Sequence, residues 1–414
     1  MQFTELDLPH YLRESLDKLK FTEATPIQEK VIPLIKQGKD LLAESQTGTG
    51  KTLAFSFPLI ERINSLPDKK KKISILGLIL VPTRELAVQL EKAFNTYAEF
   101  SLKEIKTASL IGGESIHQQI RKLRIGLDVV IATPGRLLEL IEQGEVRLYE
   151  LEMLILDEAD KMLDLGFADE LKALLSKLPK KRQNLLFSAT LPARVQDLAT
   201  NFLSDAEEVR VSKDQITAEN IEQRAIEVDA NLRRQVLQKL YQEEEWKHTI
   251  IFVSSKRSAS NLANKLKKEG LKVQDFHGDL DQEARTKVLR CFQNKDFPIL
   301  IATDIAARGI DITKLSHVIN YDLPRSALDY VHRIGRTGRA GQKGVAISFV
   351  NPANADHFSV IEKHVGIKLT KERIPGFDKI TPLEAPKIKG PIKGKRKSKK
   401  DKLREQLKGK LSDQ

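Results

Sequence analysis

The stretch Ser45-Gln46-Thr47-Gly48-Thr49-Gly50-Lys51-Thr52 constrains this chain more than any other. The apolar run Asp40–Ala43 ends just before it, and a helix-length apolar segment follows. Two glycines between a strand and a helix let backbone N–H groups converge on phosphate oxygens, and the helix N-terminus adds its dipole. Such a loop belongs at the carboxyl edge of a parallel α/β sheet. Lys51 is expected to reach the β and γ phosphates of ATP, and the Thr52 hydroxyl to ligate Mg²⁺. Ser45 stands where the general pattern has its first glycine, so its backbone is expected in an ordinary conformation.

Other apolar runs recur between amphipathic segments of helix length. In the first half they are Ile75–Val81, Thr107–Ile111, Asp128–Ala132, Met153–Leu156 and Asn184–Ser188. In the second they are Ile221–Val228, Thr249–Val253, Lys272–Phe276, Pro298–Ala302, His317–Asn320 and Gly344–Val350. Runs apolar on both faces read as buried parallel strands covered by helices, and two such sheets in series follow. The expected partition is a first domain over 1–211, a linker over 212–220, a second domain over 221–380 and a tail over 381–414.

The formal charge is +12, but Pro386–Gln414 alone carries twelve Lys or Arg against three acidic residues. The basic balance therefore describes the tail, which is expected to be disordered and to tether a polyanion, while the body binds one through local patches. The lone Cys291 excludes an internal disulfide and fits a reducing compartment. Neither a signal pattern in Met1–His10 nor an apolar run long enough to span a bilayer is present, so a cytoplasmic monomer is expected. Cys291 reads as a small buried hydrophobe, His277 as a turn stabiliser or RNA contact, and Trp246 as a surface feature.

Asp157 and Glu158 emerge at the end of the run Met153–Leu156. With a phosphate cradle beside them, divided work suits two carboxylates: Asp157 for Mg²⁺, Glu158 for the attacking water. Upstream, Phe21 offers a stacking face, and Gln28 offers the donor and acceptor that adenine requires. Thr83-Arg84, Gly112-Gly113 and Thr133-Pro134-Gly135-Arg136 combine hydroxyls, glycine amides and single arginines, which suits contacts to phosphate and ribose without sequence preference.

In register, these motifs resemble the DEAD-box RNA helicases of superfamily 2 from Phe3 to about Phe377. Phe21–Gln28 resembles the Q motif, although Lys20 replaces its usual glycine. Pro82–Ala87, Asp157-Glu158-Ala159-Asp160, Ser188-Ala189-Thr190, Ile251-Phe252-Val253, Gln282 with Arg285, Ala302-Thr303-Asp304, Ala307–Asp311 and His332–Arg339 follow in order. Ile374–Phe377 before a basic tail looks most like the bacterial RhlE branch.

The resemblance implies two tandem RecA-like domains, each a mostly parallel sheet flanked by helices, and an ATP-dependent enzyme that unwinds short RNA duplexes or remodels RNA–protein complexes. It assigns adenine to Gln28 and Phe21, the phosphates to Ser45–Thr52, and ribose or hydrolysis to Asp311. Arg336 and Arg339 become arginine fingers on the γ-phosphate. RNA contacts fall to Pro82, Thr83, Arg84, Gly113, Thr133, Pro134, Arg136, Gln282, Arg285, Thr303 and Asp304, and coupling to Ser188 and Thr190. The helix after Arg136 is expected to bend one strand. Ribosomal or RNA-decay assemblies fit as settings. An ATP-gated RNA clamp and a DNA translocase are the rival readings.

Overall fold

Strands with no polar face form the interior of two sheets. Gly77–Leu80, Val129–Ala132, Met153–Leu156 and Thr249–Val253 are buried at every position, as a sheet covered by helices on both sides requires. The computed structural model describes residues 1–45, 48–67, 75–211, 220–244, 246–307, 312, 315–338 and 343–377. Gln46, Thr47, Asp311, Arg339, most of the expected linker and the expected tail lie outside the described residues.

The first sheet comprises β1 (Leu41–Glu44), β2 (Gly77–Leu80), β3 (Thr107–Leu110), β4 (Val129–Ala132), β5 (Met153–Leu156), β6 (Gln183–Ser188) and β7 (Glu207–Arg210). The second comprises β8 (Ile221–Glu227), β9 (Thr249–Val253), β10 (Val273–Phe276), β11 (Ile299–Thr303), β12 (His317–Asn320), β13 (Gly344–Val350) and β14 (Lys371–Glu372). All pairings between these strands are parallel. The spatial orders are β3-β4-β2-β5-β6-β1-β7 and β10-β11-β9-β12-β13-β8-β14. Adding seven to every label of the first gives the second, so the two sheets are wired identically. Parallel pairing forces each connection to cross the sheet, and the intervening helices bury both faces.

Twelve strands fall on the apolar runs. The additional two, β7 and β14, are edge strands with mostly charged residues, and only Val209 of β7 is buried. Their pairing is decided by the neighbouring strand's open edge, which leaves no periodic mark on them. Trp246 corrects its reading as a surface feature: it is 4% exposed, stacks on His317 at 5.3 Å and packs edge-on to Tyr241. Its indole N–H donates to Glu244 at 3.1 Å, which makes burial of the ring tolerable. Cys291 is half-buried rather than buried, packed against the cluster around Phe292.

Candidate ATP and RNA site

Strand order distributes the motifs along one carboxyl edge. Gly112-Gly113 follows β3, Thr133–Arg136 follows β4 and Pro82–Arg84 follows β2. Asp157-Glu158 then follows β5, Ser188–Thr190 follows β6 and the cradle follows β1. Three adjacent strands thus carry the expected RNA contacts, and the next three carry the residues expected for ATP chemistry.

The cradle has the backbone its glycines permit. Gly48 and Gly50 have φ of 83° and 93°, whereas Ser45 is not among the residues with positive φ, as expected. The helix Lys51–Ser65 begins directly after Gly50. A side chain at Gly50 would meet Gln28 Nε2 at 2.4 Å, so glycine is required for close approach as well as for φ. Lys51 is 5% exposed; its ammonium donates to Ser45 O at 3.0 Å and lies 3.6 Å from Asp157 Oδ1. Gln28 sits in the first turn of Pro26–Lys36, where its Oε1 accepts from Thr25 N at 2.9 Å and its Nε2 donates to Gly50 O at 3.0 Å. Its amide therefore braces the cradle itself. Phe21 is 45% exposed, a free apolar face consistent with stacking.

Asp157 and Glu158 are 4% and 3% exposed. Burial pushes the Asp157 carboxyl above its ordinary range against the opposing pull of Lys51. For Glu158 burial also disfavours charge, but the ammonium groups of Lys161 and Lys51, with the Arg336 guanidinium, hold it below its ordinary value. Glu158 takes φ 57°, a left-handed conformation costly for a residue with a Cβ. Its Oε1 accepts from Lys161 at 2.8 Å, and its buried Oε2 has no hydrogen-bond partner among the described residues. An ionised, unsatisfied oxygen fixed at a strand end is what an attacking water needs.

Behind these carboxylates, a network ties the cradle to the next loop. Ser45 N donates to Ser188 O at 2.9 Å, Asp160 N to Ser188 Oγ at 3.3 Å, and Thr190 Oγ1 to Asp160 Oδ2 at 3.1 Å. From the second domain, His332 lies near enough to Lys161 and Asp160 to feel both, and burial lowers its pKa to about 4. It is neutral at physiological pH.

On the RNA side, Thr83 caps the helix Arg84–Tyr97, its hydroxyl accepting from Leu86 N at 3.3 Å. Thr133 precedes Pro134 at the start of Pro134–Glu142. Arg84 lies along Gly112-Gly113, where a Cβ at Gly113 would fall 2.0 Å from its guanidinium. Arg136 Nη1 donates to Glu114 O at 3.3 Å, and its Nε forms an ion pair with Glu139 Oε2 at 3.0 Å. The Pro82, Thr83, Arg84, Gly113, Thr133, Pro134 and Arg136 group is thus brought together.

In the second domain the picture is mixed. Gln282 keeps a buried Oε1 with no partner among the described residues, and Thr303 ends β11. Two expected RNA contacts are instead engaged with protein. Arg285 donates through Nε to Glu85 of the first domain at 2.6 Å and lies 4.8 Å over the Phe276 ring. Asp304 receives a two-pronged pair from Arg333 at 2.6 and 2.7 Å. A bare carboxylate would repel a phosphate, and Arg333, 3% exposed, neutralises it while also holding Asn320 Oδ1 and Asp322 O.

Sequence reasoning placed Glu85 and Arg333 inside motifs but gave neither a role of its own, and it missed the loop Ser254–Lys256. The last follows β9, which occupies the place of β2 in the second sheet, so it corresponds to Pro82–Arg84. Ser255 caps its helix as Thr83 does. Only comparing the two strand orders exposes that match. His277 stabilises its turn, with Nδ1 accepting from Asp279 N and Nε2 facing both Asp275 and Ser260. Because serine and carboxylate share one nitrogen, the trio is no proton relay.

Residues 25–198 match the DEAD/DEAH box helicase family, and residues 232–341 match the helicase conserved C-terminal domain. A DEAD-box ATP-dependent RNA helicase CshA of Geobacillus kaustophilus is 39% identical over 91% of this chain and 79% of its own. Among solved structures, S. cerevisiae Dbp5 bound to RNA and ADP BeF3 is similar at TM-score 0.78 and 33% identity, covering 90% of this chain and 95% of that one. A DEAD box protein from Methanococcus jannaschii is more identical, at 39%, with 90% of this chain and 99% of that one covered, yet its TM-score is 0.50.

Proposed function

Since this chain belongs to the DEAD/DEAH box helicases and is an ATP-hydrolysing RNA helicase, we propose that it works by closing its two sheets around ATP and an RNA strand. The observation that carries this reading is the 2.6 Å ion pair of Arg285 with Glu85 across the two domains, an arrangement in which Arg336 of the second also helps hold Glu158 of the first ionised. Hydrolysis needs both, so it is tied to closure. The higher TM-score to the Dbp5 complex with RNA and ADP BeF3 supports the described arrangement as the closed one.

In the closed state Lys51 and the amides of the cradle hold the phosphates, and Arg336 stabilises the charge that develops on the γ-phosphoryl oxygens. Arg339 and Asp311 are assigned to the same phosphoryl group and to the ribose. Glu158 Oε2 accepts the hydrogen bond that aims the attacking water and takes its proton. Phe21 and Gln28 select adenine; that role requires Gln28 to share its amide with Gly50 O or to release it.

The donors fit Mg²⁺. Among the described residues no group of three or more His, Cys, Asp or Glu makes a dedicated metal cage. Mg²⁺ ordinarily keeps water and phosphate oxygens, so Thr52 and Asp157 suffice as the protein's share. The ion would neutralise phosphate charge.

RNA is held through its backbone by the loops after β3, β4 and β2, joined by Gln282, Thr303 and Ser254–Lys256. Asp304 acts by positioning Arg333. Ser188 and Thr190 pass the state of the cradle to Asp160 and on to His332. Unwinding of short duplexes follows from bending one strand, and the clamp reading is not favoured. The bacterial relative reported above is named CshA, which gives no support to an RhlE-branch placement. No helix among the described residues is long and apolar enough to cross a membrane; we place the protein in the cytoplasm as a monomer, in ribosomal or RNA-decay assemblies.

Glu158→Gln tests the core of this. ATP-dependent RNA binding should persist while single-turnover hydrolysis falls by about 10²–10⁴. Hydrolysis at the wild-type rate would remove Glu158 from the water.

A further inference from the structure

We propose that the groove between the helix Gln282–Gln293 and the outer edge of β10 docks an acidic, extended segment of a protein partner that carries an apolar anchor. The groove has a volume of about 630 Å³. That is the size of a site for a few side chains, not for a folded domain. Its floor is apolar: Val288 and Cys291 from one stripe of the helix, with Leu271 and Phe297 opposite. Its rim carries Lys267, Lys272 and Lys287, all exposed, against the single carboxylate of Asp296. β10 is the terminal strand of its sheet and pairs only with β11, so among the described residues its outer edge offers backbone groups to an extended chain.

Charge decides the occupant. This chain's own Lys387–Lys410 stretch carries the same sign as the rim, which disfavours self-docking. RNA would satisfy the lysines but leave the aliphatic floor uncovered, and Phe297, at 8% exposure, presents no ring for base stacking. An acidic segment with a leucine or phenylalanine satisfies both parts at once. The groove is separate from the ATP strands, although its helix carries Gln282 and Arg285 elsewhere on its circumference.

The test uses the full-length protein and a fluorescent ten-residue peptide of alternating glutamate and leucine with a central phenylalanine. Saturable binding that weakens with salt is expected, and reversing two charges, Lys272→Glu with Lys287→Glu, should weaken it by at least about tenfold. Unchanged RNA-stimulated ATPase in that double variant reports an intact fold. Cys291, the chain's only cysteine, gives a local readout: saturating peptide should slow its alkylation by a bulky maleimide. An arginine–leucine peptide of equal length should neither bind nor protect. The proposal is overturned by absent binding, by binding indifferent to charge reversal, by unprotected Cys291, or by equal protection from oligouridylate, which would make the groove a nucleic-acid site.

Discussion

Glu85→Ala removes one half of an ion pair that joins the two domains. Glu85 lies in the first turn of Arg84–Tyr97 and Arg285 in Gln282–Gln293, with 2.6 Å between them and exposures of 7% and 9%. Without the carboxylate, Arg285 keeps, among the described residues, the His277 carbonyl at 3.4 Å and the Phe276 ring. Stranding one charge of a buried pair costs about 3–5 kcal/mol. Here the domains can part and rehydrate Arg285, so the cost falls on the closing equilibrium and not on the fold of either domain. Taking about 3 kcal/mol, closure weakens by roughly two decades. The RNA concentration that half-saturates ATPase should rise by a similar factor, and RNA-independent turnover, which also needs closure, should fall with it, while ATP affinity in the absence of RNA stays unchanged because Glu85 lies on none of the strands that carry the ATP residues. A fluorescence distance reporter between the domains, titrated with RNA at saturating non-hydrolysable ATP analogue, reads the same quantity directly. The exchange Glu85→Arg with Arg285→Glu should recover part of the loss. A shift below about threefold, equivalent to about 0.6 kcal/mol, or no recovery in the exchange variant, would refute the argument.

Lys51→Ala should abolish ATP binding in a nucleotide titration, since it removes the buried ammonium that the cradle holds for the β and γ phosphates. Gly113→Ala puts a Cβ at φ 80° and against Arg84, so the RNA concentration for half-maximal ATPase should rise about tenfold with the ATP requirement unchanged. His332 should weaken closure in acid: burial, then Lys161 of the first domain, lowers its pKa to about 4 in the described arrangement, so the part of that shift lost when the domains part lets the separated form bind the proton more readily between the ordinary 6.5 and 4. Stability of the closed form is therefore fully present above about 6.5 and declines as pH falls through that window. The distance reporter should follow this, and His332→Gln should flatten it.

What the linear chain determined on its own was local. Glycines at positions 48 and 50 between a strand and a helix make a phosphate cradle because no other residue so freely adopts that backbone. Strands apolar on both faces can only lie inside a covered sheet, so twelve of fourteen were legible. Asp157-Glu158 at a strand end pointed by position to the chemistry proposed for them. The tertiary structure decided everything that depends on which strand lies beside which. Edge strands β7 and β14 pair because a neighbour's edge is open, Trp246 is buried by rings brought in from elsewhere, and Ser254–Lys256 gains meaning only through the matched strand orders. The same holds for charges. Arg285 and Asp304 carry the residue types of RNA contacts, but Glu85 and Arg333, 200 and 29 positions away, engage them first. Coulomb interactions depend on distance in space, and separation along the chain does not report it.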